Sequence, residues 1–171
     1  FSKELPNVAV HDLVIQPEAK DLILGTHGRS LYVADISLLQ KITTETMNEI
    51  IISDIEPIDF SPRWGSKWST WGEVNEPKTT IQFYAPQSGK ATIAVKNEEG
   101  KELWDLSVDA TKGINVVDYD LSISEKGSKV FDKSETKVKK AENGKYYLPK
   151  GKHRITVAIF GKTATSDFEV K

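Results

Sequence analysis

The sequence predicts a mainly β protein, a three-stranded meander with a short helix followed by a β-sandwich. Two observations lead there. Short apolar runs recur along most of the chain, and in the second half they are spaced evenly by glycine-bearing turn signals: QSGK, EEGK, TKG, ENGK, PKGK and FGK. A third, DISLLQKITTETMNEI, is the stretch with helical spacing. At 171 residues the chain is long enough for one or two small domains with real cores.

The first third holds three strand-like runs, Val8 to Ile15, Asp21 to Gly25 and Ser30 to Ala34, joined by QPEAK and THGR. Both links are short enough for hairpins. Leu13-Val14-Ile15 and Leu22-Ile23-Leu24 are continuous apolar triplets, so these strands need cover on both faces. A lone meander supplies none. Asp35 or Ser37 can then cap a short helix from about Ser37 to Lys41, and Thr43, Thr44 and Thr46 weaken its later turns.

Ile50 to Phe60 reads as extended, with Pro57 and Pro62 confining it to an edge or a linker. SPRWGSKWSTWGEVNEP carries three of the four tryptophans and reads as an ordered loop at a domain boundary. Beyond it come TTIQFYA, ATIAVKN, KELWDLSV, INVVDYDLSI, HRITVAIF and TSDFEV, the strands of the sandwich. The expected divisions are 1–48 for the meander and helix, 49–77 for the linker with its tryptophan loop, and 78–171 for the sandwich. Between Glu125 and Lys152 nine lysines face four acids, a pattern that reads first as a solvated loop and second as a basic binding patch.

Charge and composition narrow the function classes. A net charge of −2 and a pI near 6.0 carry no nucleic-acid footprint and no polybasic membrane surface. No long apolar span is present, so no membrane crossing by a helix is expected. The absence of cysteine removes disulfides, thiolate metal sites and cysteine nucleophiles. Since the chain starts at Phe1 without a signal-type apolar region, it is expected to be a piece of a longer protein.

LPNVAVHDL, the turn GTHGRSLYV and the Asp-Ile-Ser that opens the helix resemble the last blade of large bacterial propeller proteins of the BNR-repeat or sortilin-type glycosyl hydrolase kind. ATIAVKNEEGKEL, GINVVDYDL and LPKGKHRITVAIFGKTATSDFEV resemble the immunoglobulin-like domain that follows such propellers and is similar to one in flagellar hook-capping proteins. In that second pattern Tyr119 stands where Trp is usual and Ser122 where arginine is frequent. The resemblance implies a partial final blade and an immunoglobulin-like sandwich, from an exported propeller parent of the glycosyl hydrolase-like kind, whose own hydrolase activity the resemblance leaves open. It also implies the missing cover, because a propeller blade lies between two neighbours. Partners would then be the upstream blades of the same chain, and the isolated fragment would expose a sheet edge and an apolar face through which it could dimerise.

Candidate site residues are few. His27 and Arg29 flank Gly28 in the turn, and the main reading is a hairpin connection in which Gly28 supplies positive φ. The competing reading, that they line a glycosidase site completed by upstream blades, needs carboxylates that nothing nearby in sequence supplies. Asp118 and Asp120 share a strand face at roughly the 5–10 Å separation that glycosidic carboxylates use, but Asp120 holds a structural position in the resembled pattern. Trp64, Trp68 and Trp71 are read first as a plug between the two domains and second as a platform for carbohydrate, since indoles stack on sugar faces. Trp104 reads as sandwich core or rim. His11, His27 and His153 have no metal-ligand spacing, and neither a metal nor a cofactor is expected. The leading expectation is a non-catalytic capping and interaction module, with a carbohydrate-binding module as the alternative.

Overall fold

A computed structural model describes residues 7–28, 30–132 and 137–171. The chain is mainly β and divides into two compact units, 1–45 and 46–171.

The first unit is an antiparallel meander of β1 (Val10–Gln16), β2 (Asp21–Thr26) and β3 (Ser30–Asp35), in the order β1-β2-β3. The register places Leu13, Leu24 and Tyr32 in one row across the sheet and Val14, Ile23 and Val33 in the next. Because successive side chains point to opposite faces, these rows lie on opposite faces, and both are apolar. Leu24 is buried, yet Leu13, Ile15, Val14 and Val33 are each at least half exposed and Leu31 is 71% exposed. Helix α1 (Ser37–Gln40) follows directly, and the Asp35 carboxylate accepts a 2.7 Å bond from the Ser37 amide, tying the strand end to the helix start.

The second unit is a two-sheet sandwich. One sheet has the order β4-β5-β8, from β4 (Ile51–Ile52), β5 (Thr79–Ala85) and β8 (Gly113–Tyr119). The other has the order β12-β11-β6-β7, from β6 (Gly89–Asn97), β7 (Glu102–Ala110), β11 (Gly151–Ile159) and β12 (Lys162–Val170). A short ribbon pairs β9 (Ser122–Ile123) with β10 (Tyr146–Tyr147). Period-2 alternation does the sorting: Ile81, Phe83, Ala85, Ala91, Ile93, Val95, Ile155 and Val157 are fully buried, while most of the residues between them face outward. Each of the larger side chains among these, the isoleucines, valines and Phe83, contributes about 1.5–3 kcal/mol when withdrawn from water, before chain entropy is counted.

The proline-flanked segment is an edge that serves both sheets. Ile51 and Ile52 pair with β5, and further on Ile58 and Phe60 bond to the backbone of Glu169 and Lys171 at the edge of the other sheet. Asn115, in the Gly113-Ile-Asn115 turn, explains its own position: its side chain bonds the backbone of Thr111 and Gly113 and so fixes the crossing from β7 to β8.

The lysine-rich segment is less loop-like than expected. Helix α2 (Glu125–Ser128) and one turn of 3-10 helix (Lys129–Phe131) begin it, with Ser124 capping the Gly127 amide at 2.9 Å. A register shift in β7 leaves Leu103 as a bulge, and its carbonyl accepts both the amide and the hydroxyl of Ser124. Gly127 packs so closely on that bulge that a Cβ would overlap the Leu103 carbonyl. Lys-rich composition hid this contact, because one serine and one glycine carry it.

Candidate functional site

The tryptophan segment forms a hairpin-like excursion rather than a plug. The Gly65 amide donates to the Asn75 carbonyl and the Asn75 amide to that of Ser66, Lys67 bridges Val74, and the Gly72 amide closes a turn on Ser69. Trp64, at its base, is 7% exposed and packs edge-on against Phe60 at 5.2 Å and beside Tyr147 at 6.0 Å, inside the second unit's own core. Trp68 and Trp71, at the tip, are 82% and 96% exposed. The expected plug of three rings is thus corrected: one ring is core and two project into solvent, because the glycine and serine turn carries the later two away from the sheet. The guanidinium of Arg63 stands 4.5 Å from the centre of the Trp68 ring and orients it.

The excursion is bonded to the loop that precedes β10. The Asn143 amide donates to the Gly65 carbonyl at 3.0 Å, and the Asn143 side chain donates to Glu76 and to the Tyr147 hydroxyl. Lys145 completes the tie with bonds to Glu76 at 2.9 Å and to Asp120 at 2.8 Å. Those two carboxylates raise the Lys145 ammonium above its ordinary value. Burial by itself pushes the Asp120 carboxyl up, but hydrogen bonds from Lys145 and Ser122 outweigh it and hold the group below its ordinary range.

Between these two loops runs a groove of about 610 Å³ with Phe60, Trp64 and Tyr147 in its lining and Lys137, Lys139, Lys140 and Lys150 around them. A second cleft, of about 600 Å³, is lined by Arg63, Lys67 and Trp68. Ser66 and Glu142 belong to both, so they share a wall. Lysine ammonium groups lie 5.7 Å from the Phe60 ring (Lys150) and 5.9 Å from the Tyr146 ring (Lys140).

The other candidates stand elsewhere. His27 is exposed in a turn where Gly28 has φ 76°, and its ring lies 4.9 Å from that of His11, a meeting that their separation in sequence concealed. Arg29 lies outside the described residues. Asp118 pairs with Lys78 at 2.9 Å, and Asp120 is taken up by Lys145 and Ser122, so both serve as structural ion-pair partners. Trp104 is half-buried against Tyr119, with ring centres 4.5 Å apart. His153 is buried in β11, its Nε2 bonded to the Pro149 carbonyl. Among the described residues no group of three or more His, Asp or Glu is arranged to hold a metal ion, and no helix is long and apolar enough to cross a membrane.

No family model matches the chain, and no curated protein matches it. Eighteen solved chains are similar to it. They include a β-glucosidase from Listeria innocua in complex with isofagomine, at 11% identity and TM-score 0.33 over 71% of this chain and 16% of that one. They also include dimeric latent PorU from Porphyromonas gingivalis, at 9% identity and TM-score 0.34 over 88% of this chain and 12% of that one. The chain therefore spans less than a fifth of either neighbour. Likeness at this level bears on neither activity nor ligand.

Proposed function

We propose that the chain is a non-catalytic capping and interaction module of an exported propeller protein of the BNR-repeat or sortilin-type, glycosyl hydrolase-like kind. The supporting observation is the meander, whose two opposite faces are both apolar and both carry half-exposed residues, Leu13 and Ile15 on one and Val14 and Val33 on the other. A sheet of that composition is stable when other β-structure lies against each face, as an incomplete blade would find in upstream blades of its own parent chain. The test is hydrogen exchange with a dye that reports exposed apolar surface. The chain alone should bind the dye and exchange amides 10–35 quickly, and a longer chain carrying the preceding blades should do neither. Full protection of 10–35 in the chain alone, without dye binding, would remove the reading.

A second reading, a carbohydrate-binding accessory module, is favoured by the exposure of Trp68 and Trp71 at the tip of a braced loop. Trp64 acts there only as the buried base. Loss of glycan-induced tryptophan emission changes in Trp68→Ala and Trp71→Ala, with Trp64 untouched, is the outcome it requires.

A further inference from the structure

We propose that the second unit binds a uronic-acid-bearing polysaccharide along the groove between the tryptophan loop and the 137–142 loop, an inference that rests on the carbohydrate-binding reading and names its ligand class. Three kinds of chemistry meet there. Trp68, in the lining of the second cleft, offers a pyranose ring the indole face that Arg63 leaves open, and Trp71 stands exposed at the tip of the same loop, outside both linings. Lys139, Lys140 and Lys150 are exposed and have no carboxylate partner among the described residues, so their charge is available for a ligand's carboxylates. Arg63, already lying over Trp68, adds a planar fork beside the stacking ring. Each cleft is large enough to enclose a small-molecule-sized segment, and the shared wall lets one chain continue from the first to the second.

Glu142 selects among polyanions. Among the described residues it is the one carboxylate in either lining, and it stands in the shared wall, its Oε2 accepting the Lys67 amide at 3.4 Å. A polyanion without hydroxyl donors would set a charge against it and leave it unsatisfied. A polyuronate presents hydroxyl donors between its carboxylates, which satisfies Glu142 and the lysines together. The walls are also fixed before binding, because Gly65, Asn143, Glu76 and Lys145 already bond the two loops, so little ordering opposes association.

The experiment titrates the chain with oligogalacturonate and oligomannuronate, with the methyl ester of each, and with oligouridylate, reading tryptophan emission. The acids should bind in a salt-sensitive way. The esters should bind about tenfold more weakly or worse, and Lys139→Glu/Lys140→Glu should lower affinity for the acids by a similar factor at unchanged circular dichroism. Equal binding of acid and ester, lost in Trp68→Ala, would overturn the uronate specificity and leave the carbohydrate module standing. Binding of neither would overturn both. Oligouridylate binding that is lost in the same lysine variant would show a general polyanion groove and overturn the glycan assignment.

Discussion

The two units are built from strands of similar apolar content and bury them very differently. In β5 and β6 alternate residues such as Ile81, Phe83, Ile93 and Val95 are fully buried, whereas in β1 and β3 Leu13, Val14, Ile15 and Val33 all remain at least half exposed. Strand hydrophobicity is comparable, so the difference comes from the second layer. The sandwich supplies its own opposing sheet, and among the described residues of the first unit no second sheet accompanies the meander. Burial belongs to the pairing of layers, and a sheet without its partner advertises where the partner belongs.

The comparison can be broken most forcefully in the sandwich. Phe83→Ala should cost the second unit about 3–5 kcal/mol, measured by denaturant unfolding followed through tryptophan emission. All four tryptophans lie in that unit, so the probe reports on it alone. A loss under 1 kcal/mol would mean that the sheets are not packed as described. Gly65→Ala comes next, at about 2–4 kcal/mol, since φ is 78° there and a Cβ would stand 2.5 Å from Ala141 Cβ and 2.8 Å from the Tyr147 ring. The same variant should also loosen the tie between the two groove walls and weaken any glycan response.

A smaller effect is expected from pH. Burial holds the His153 imidazole below its ordinary value of 6.5 against weaker opposing pulls from the Pro149 carbonyl and Glu98, and its buried Nδ1 has no partner. A depressed folded-state pKa means that the unfolded chain takes up the proton first. Stability from this group is therefore complete above about 6.5 and declines as the pH falls from there toward the folded-state value. His153→Gln should flatten that part of the denaturation-midpoint profile, and an unchanged slope would locate the pH sensitivity in other groups. The smallest effect belongs to the meander. Val33→Thr should alter exchange of amides 10–35 by no more than about 0.5 kcal/mol in the chain alone, and the proposed blade origin requires a clearly larger effect in a longer chain that carries the preceding segment.

Much of the fold was readable because period-2 patterning and glycine turns are local. Six of the seven strands in the two sheets lie where TTIQFYA, ATIAVKN, KELWDLSV, INVVDYDLSI, HRITVAIF and TSDFEV place them, with INVVDYDLSI running on past β8 into β9, and Pro57 and Pro62 do mark an edge segment. The short helix at Glu125 was not readable, since Gly127 and Ser128 disfavour helix and the element exists only where the Leu103 bulge turns a carbonyl toward Ser124. The groove was half readable. The tryptophans and the lysines were both conspicuous, but nothing in their spacing joined residue 65 to residue 143.

By itself, then, the sequence determined the fold class, the strand positions and the demand of the first three strands for cover on both faces, because side-chain alternation and turn chemistry act between near neighbours. Only the tertiary structure decided which tryptophan is core and which two are surface, and that a lysine loop lies beside them. Those outcomes depend on hydrogen bonds such as Asn143 to Gly65 and Lys145 to Glu76, made across roughly half the chain. Such bonds form wherever packing brings the partners within reach, and no local pattern encodes that meeting.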